Sequence, residues 1–179
     1  MANTNSPNGF TPAYHMSGGT IRPSEFAIAS GTNASIFTGD VVNLSSGLVI
    51  QGTATGAPLG VFAGVEYQAT DGSVVFSNMW TADTATLGSA NAKAYVYADP
   101  DIVYEAQGTA TPTQATVGTT NTISTTAGST STGRSEEGVT ATTSSGIATV
   151  VGFVDRPDNS IGQYARMYVI FPTSAFGNN

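Results

Sequence analysis

Leu59-Gly60-Val61-Phe62-Ala63-Gly64-Val65-Glu66-Tyr67 and Ser73-Val74-Val75-Phe76-Ser77-Asn78-Met79-Trp80, with Asp71-Gly72 between them, decide the fold class. Both runs are rich in β-branched and aromatic residues, and Asp-Gly is a strong hairpin-turn signal. Gly60 and Gly64 mark points of close backbone approach or a bulge. Val74, Phe76 and Asn78-Met79-Trp80 read as one continuing buried pattern. That pattern places Trp80 in a core and argues against a sugar-stacking platform.

The same grammar extends outward in both directions. Ser35-Ile36-Phe37-Thr38-Gly39-Asp40-Val41-Val42-Asn43-Leu44 has a strand's content with a Gly-Asp break inside it, and the turn Ser45-Ser46-Gly47 leads to Leu48-Val49-Ile50-Gln51. Ala92-Lys93-Ala94-Tyr95-Val96-Tyr97 and Ile102-Val103-Tyr104-Glu105-Ala106 flank Asp99-Pro100-Asp101, which suggests a hairpin with Tyr95, Tyr97 and Tyr104 along one face. Ile147 to Val154 and Tyr164 to Phe171 close the chain. In the last run Tyr164, Arg166, Tyr168 and Ile170 alternate with Ala165, Met167, Val169 and Phe171, as a central strand would. Strands spaced about ten residues apart, with turn residues between them, indicate a sandwich or barrel. Only Ser24 to Ala29 suits a helical turn or two, with Ser24 as its cap. The expectation is an all-β chain: a compact antiparallel β-barrel, β-tulip-like or sandwich body over residues 25–179.

Two stretches stand apart. Residues 1–24 carry Pro7, Pro12 and Pro23 and read as an extended N-terminal arm. The arm either folds back on its own domain or docks on another subunit, and Phe10, Pro12, Tyr14, His15, Met16, Ile21 and Arg22 are its candidate contacts to a capsid or neighbouring subunit. Residues 108–146 are dominated by Thr, Ser, Gly and Ala and read as a long loop with weak strands, a projecting hairpin or a subdomain. Their one charge cluster, Gly133-Arg134-Ser135-Glu136-Glu137, reads as a solvated turn with a local ion pair.

Composition narrows the function. Of 179 residues, Thr and Ser supply 45, only 9% are charged, and the net charge is −7. A surface covered by hydroxyls costs less to desolvate against a neighbour than a charged one, which suits an assembled particle. Five basic residues, scattered singly, leave no nucleic-acid footprint. No apolar run approaches a membrane span, and Met1 to Pro7 lacks the regions of a signal peptide. With no Cys there is neither a disulfide framework nor a thiolate metal site.

Catalytic sets are equally scarce. His15 is the only histidine and has no preorganised neighbour in sequence. The acidic turns at Asp99-Pro100-Asp101 and Asp155 to Asp158 do not follow EF-hand spacing, no G-x-S-x-G elbow occurs, and Gly18-Gly19 lacks a following Lys-Ser/Thr. The expectation is a non-enzyme with no cofactor and no metal.

Gly9-Phe10-Thr11-Pro12, Ile36-Phe37-Thr38-Gly39-Asp40-Val41-Val42, Pro58-Leu59-Gly60-Val61-Phe62-Ala63-Gly64, Val96-Tyr97-Ala98-Asp99-Pro100-Asp101 and Thr132-Gly133-Arg134-Ser135 form a sequence pattern along most of the chain. It resembles the capsid decoration, or cement, proteins of tailed bacteriophages. The resemblance implies a virion protein on the capsid exterior, made in the bacterial host cytoplasm. It also implies binding to the major capsid protein and a homo-oligomer, trimer or dimer, on the particle, with no nucleic-acid or membrane partner. Two other classes fit the same composition: another virion component (tail, fibre or shell subunit), or a glycan-binding adhesive β-domain.

Overall fold

Adjacent valines at the start of one strand organise the whole molecule. The computed structural model describes residues 3–142 and 146–177. Its strands are β1 (Thr11–His15), β2 (Ser24–Ile28), β3 (Ile36–Phe37), β4 (Val41–Ser45), β5 (Leu48–Gln51), β6 (Gly60–Gln68) and β7 (Val74–Ser77). They continue with β8 (Met79–Trp80), β9 (Ala92–Tyr97), β10 (Ile102–Gln107), β11 (Thr120–Ser124), β12 (Gly138–Thr142), β13 (Ala148–Phe153) and β14 (Arg166–Ile170). Among the described residues the helical content is two single 3-10 turns, at Leu87–Ser89 and Gln114–Thr116.

The first sheet runs β4-β5-β2-β9-β6-β7, and a further β4–β6 pairing closes its first five strands into a barrel. Ser46 and Gly47, at φ 51° and 79°, make the tight β4–β5 turn with the primed geometry that right-twisted strands require. β6 and β7 form the expected hairpin, with the Ala69 N–H donating to the Ser73 carbonyl at 2.8 Å. Asp71 Oδ1 accepts from both N and Oγ of Ser73, which fixes the turn. Gly60 lies where a Cβ would come within 2.0 Å of the Tyr97 carbonyl oxygen, so the barrel closes around a glycine. The β6–β9 register slips between Phe62 and Gly64, at the expected bulge. β3 and β8 pair separately and bring Ile36 and Trp80 into the barrel's core.

The second sheet runs β1-β10-β14-β13-β11-β12. It curls until β12 meets the end of β10, where Gly108 bridges Val139 and the Thr109 N–H donates to the Val139 carbonyl at 2.8 Å. β14 is central, and Ala165, Met167, Val169 and Phe171 are buried as their alternation requires.

The two sheets share a wall. Side chains alternate along a strand, so Val41 and Val61 enter the core of the second sheet while Val42 and Phe62 enter that of the barrel. The C-terminal segment crosses the joint: Phe171 packs in the second core, the Ala175 N–H bonds the Pro58 carbonyl at 2.8 Å, and Phe176 stacks on Phe26 of β2. The chain is all-β, with a closed five-stranded barrel as its first unit.

Several expectations change. Ser24–Ile28 is a strand, not a helical turn, because pairing with β9 over five residues satisfies backbone groups that a capped turn would leave to water. Tyr95, Tyr97 and Tyr104 do not line a hairpin, because β9 and β10 diverge into different sheets. The Tyr95 hydroxyl donates to Glu66, whereas Tyr104 is buried and donates to the Tyr97 carbonyl. The 108–146 stretch contributes β11 and β12 to the second sheet, so within its described residues it is part of the body and not a projecting hairpin. Residues 1–2 of the expected arm and 143–145 of the expected insertion lie outside the described residues.

The N-terminal segment does not extend away from the body. Asn3 exchanges hydrogen bonds with Ser160 and donates to the Gln163 carbonyl. Gln107 accepts from the Ser6 N–H at 3.0 Å and donates to the Thr4 carbonyl at 2.8 Å. The Phe10 N–H donates to the Gly39 carbonyl at 2.9 Å, and β1 then pairs antiparallel with β10. Burying the Phe10 ring and pairing this backbone stabilises the segment on its own chain more than solvation would.

Candidate interaction surface

Of the seven candidate arm contacts, the structure brings three to one exposed place. β1 is the edge strand of the second sheet, and its end carries Tyr14, His15 and Met16 beside the Asp99-Pro100-Asp101 connection. The Met16 N–H donates to the Asp101 carbonyl at 2.9 Å, which ties the strand end to that connection. Tyr14 is partly exposed and meets Tyr168 edge-on at 5.4 Å. Met16 is 58% exposed, and Phe176 of the C-terminal segment is 56% exposed. Met16, Phe176, Ile170, Pro100 and Pro172 line a surface hollow of about 360 Å³ with Asp99 and Asp101 at its edge. Exposed apolar side chains gathered at one place mark a contact face more often than singly scattered ones do.

The acidic edge is organised. His15 Nδ1 accepts from the Ser17 N–H at 3.3 Å, so the proton of the neutral ring sits on Nε2, which faces Asp99 Oδ2 at 3.0 Å. The Asp101 N–H and then the His15 imidazole hold the Asp99 carboxyl below the usual carboxylate range. His15, Asp99 and Asp101 can bring one ligand atom each within 4.8 Å of one another. Asp99 and Asp101 are exposed, and the imidazole is already engaged by Asp99 and Ser17, so the trio is a hydrogen-bonded corner with negative charge facing outward.

The other four candidates lie elsewhere or are occupied. Phe10 is buried, with its ring 5.3 Å from that of Phe171, and is unavailable to a neighbour. Pro12 is half-buried in β1 opposite Tyr104. Ile21 is half-buried against the second sheet's core, and Arg22 is exposed after it.

Sequence reasoning missed a second apolar exposure. Val74 and Phe76 are 59% and 72% exposed on β7, a free edge of the first sheet. Val74 and Phe76 were expected inside and face out: Val75, opposite Tyr67, is the half-buried residue between them, and Phe76 lies opposite Glu66. Trp80 is fully buried as expected, edge-on to Tyr67 at 5.6 Å, and offers no stacking platform. The charge cluster at 133–137 also differs from expectation. Arg134 and Glu136 are exposed without an ion pair among the described residues, while Ser135 and Glu137 are fully buried. The phase of Val74-Val75-Phe76 follows from the Gln68–Val74 register, which differs by one residue from that of a two-residue Asp71-Gly72 turn, and the burial of Glu137 had no sequence signal.

Compared with known proteins, the chain matches no family model, no curated protein and no solved structure.

Proposed function

We propose that this chain is a structural virion protein that binds the outer surface of a phage capsid and cements neighbouring major capsid subunits. The observation that carries the reading is the hollow at Met16 and Phe176, where exposed apolar side chains sit beside two outward-facing aspartates. An apolar contact rimmed by acid suits a capsid face that presents apolar and basic side chains together. A cement must touch two neighbours, and Val74 and Phe76 on the β7 edge supply a second, separate apolar face. Neither face is large, so a single contact is weak, and the repetition of sites on a symmetric shell supplies avidity. The hydroxyl-rich remainder, at net charge −7, stays soluble at high local density. A copy number of two or three per site, virion location, and the absence of a catalytic role are parts of the same proposal.

The test is co-sedimentation with expanded shells that lack this protein. Saturable binding that is lost on replacing Met16 and Phe176 with Ser supports the reading. A folded protein that ignores the shells moves the assignment to a tail, fibre or shell component. The adhesive alternative is less favoured, because Trp80 and Tyr104 are in cores.

A further inference from the structure

β7 is an open sheet edge with nothing to guard it. Val74-Val75-Phe76-Ser77 pairs with β6 alone among the described strands, in an unbroken antiparallel register. The Gly72 N–H donates to the Ala69 carbonyl at 2.9 Å and the Ala69 N–H to the Ser73 carbonyl at 2.8 Å, with Gly72 at φ 88°. This is a tight turn followed by a glycine bulge, and it sets the phase of the ladder beyond it. In an antiparallel pair, residues that exchange hydrogen bonds alternate with residues that do not. From Ser73 onward, Val75 and Ser77 therefore bond to β6, and the N–H and C=O groups of Val74 and Phe76 point away from it. The side chains of the same two residues are 59% and 72% exposed. The edge thus offers four backbone groups and two apolar side chains together.

The other edges are blunted. An exposed apolar edge invites another strand, and folds counter it with proline, charge, a bulge, brevity or cover. β1 carries Pro12 and a register shift between Pro12 and Tyr14. β12 is covered where Val139 bridges Gly108, β4 closes onto β6, and β3 and β8 are two residues long. Between Val74 and Ser77 there is no proline, no charged side chain and no bulge.

We infer that β7 pairs antiparallel with β7 of a second copy of this chain, about a two-fold axis at Val75, so that the sheet continues from one protomer into its partner. In that register Val74 faces the partner's Phe76, and Phe76 faces the partner's Val74. Both are hydrogen-bonded pairs, giving four backbone bonds, and each sets an aromatic ring beside a β-branched side chain on the outer face, a favourable cross-strand pair. Val75 meets the partner's Val75 and Ser73 the partner's Ser77, so no like charges oppose each other along the strand. A one-residue slip would put the apolar side chains of the two strands on opposite faces. Moving the axis to Phe76 would set Val74 against the partner's Asn78, and in this chain the Asn78 carbonyl and side-chain amide are already bonded to Thr38 and Thr132. A two-fold pairing uses up both edges, so it closes as a dimer and does not grow into a fibre. The second apolar face is thereby assigned to a second copy. On a shell, such a pair presents two Met16 hollows to two neighbouring capsid subunits, and that step alone rests on the capsid reading.

The experiment is sedimentation equilibrium of the full chain without shells, over a concentration series, for wild type, F76K and V74K, with Trp80 emission as the check that each is folded. The wild type is expected to move from 18.2 kDa towards twice that mass as concentration rises. A lysine at either outward position is expected to weaken the association by about tenfold or more, because it places a charge in the cross-strand pair of both halves of the dimer. Because the chain has no cysteine, single-cysteine variants report the register. Val75 sits on the axis in a non-hydrogen-bonded pair, where Cβ atoms come close enough for a disulfide, so V75C is expected to cross-link under mild oxidation. S77C, opposite the partner's Ser73, is expected to cross-link far more slowly. A wild type that stays monomeric at every concentration, a dimer that both lysine variants leave unchanged, or S77C cross-linking as fast as V75C overturns the inference. Absence of the dimer with shell binding intact strikes the inference and not the capsid reading, and bare shells with the dimer intact strike the reverse.

Discussion

The rings of Phe10 and Phe171 lie 5.3 Å apart and tilted by 58°, so residues near the two ends of the described chain meet in one core. Tyr104 completes the group, 5.4 Å from Phe171. This contact converts an N-terminal segment that reads as an arm into part of the body. It also places the exposed residues that follow, Tyr14 and Met16, on a fixed edge strand.

Phe10→Ala is expected to destabilise the protein by about 3–5 kcal/mol, the usual loss for a buried phenylalanine. Equilibrium urea unfolding measures it. A loss below about 1 kcal/mol would show that the N-terminal segment is not held in the core.

Gly60→Ala is expected to cost stability although the residue lies in a strand, where alanine is ordinarily preferred. The added methyl meets the Tyr97 backbone carbonyl, which cannot move without opening the β6–β9 pairing that closes the barrel. The expected loss is about 1–3 kcal/mol by the same unfolding measurement. An unchanged midpoint would mean that the barrel closes less tightly than described.

Most of the β framework was legible in the chain because period-two alternation and turn chemistry are local. Ser46-Gly47 and Asp71-Gly72 mark their hairpins, and β14 alternates without an error. What was not legible depends on distant partners. Ser24 to Ile28 lacks a strong local preference, and β9 decides it as a strand. The sequence left open whether the arm folds back on the body, because Gln107, Ser160 and Phe171, which hold it, lie roughly a hundred or more residues away in sequence. Glu137 looked like part of a solvated charge run because its neighbours Arg134 and Glu136 are exposed, and only its Val41 contact places it inside. Of the candidate contacts, Tyr14 and Met16 were found by their apolar character in a Pro- and Gly-rich stretch, whereas Phe176 and Phe76 required the fold.

Trp80 fluorescence gives an inexpensive check on the barrel core. The indole is fully buried against Tyr67, so its emission is expected to be blue-shifted and insensitive to iodide. Red-shifted, quenchable emission in the folded protein would place Trp80 at the surface and return weight to a glycan-binding reading.

Replacing Met16 and Phe176 together with Ser is expected to leave the fold intact, because both side chains are more than half exposed. Any change in stability should stay within about 1.5 kcal/mol, the most that the lost Phe26–Phe176 ring contact is worth. A larger loss would show that the hollow is part of the packing and not a contact face.

The central claim is a docking role on a phage shell, and co-sedimentation with expanded shells lacking this protein, followed by imaging of the decorated particles, tests it most directly. The account predicts saturable occupancy at symmetry-related sites by the wild type, and strongly reduced occupancy by the Met16 and Phe176 double variant. A soluble, folded wild-type protein that leaves the shells bare would contradict it.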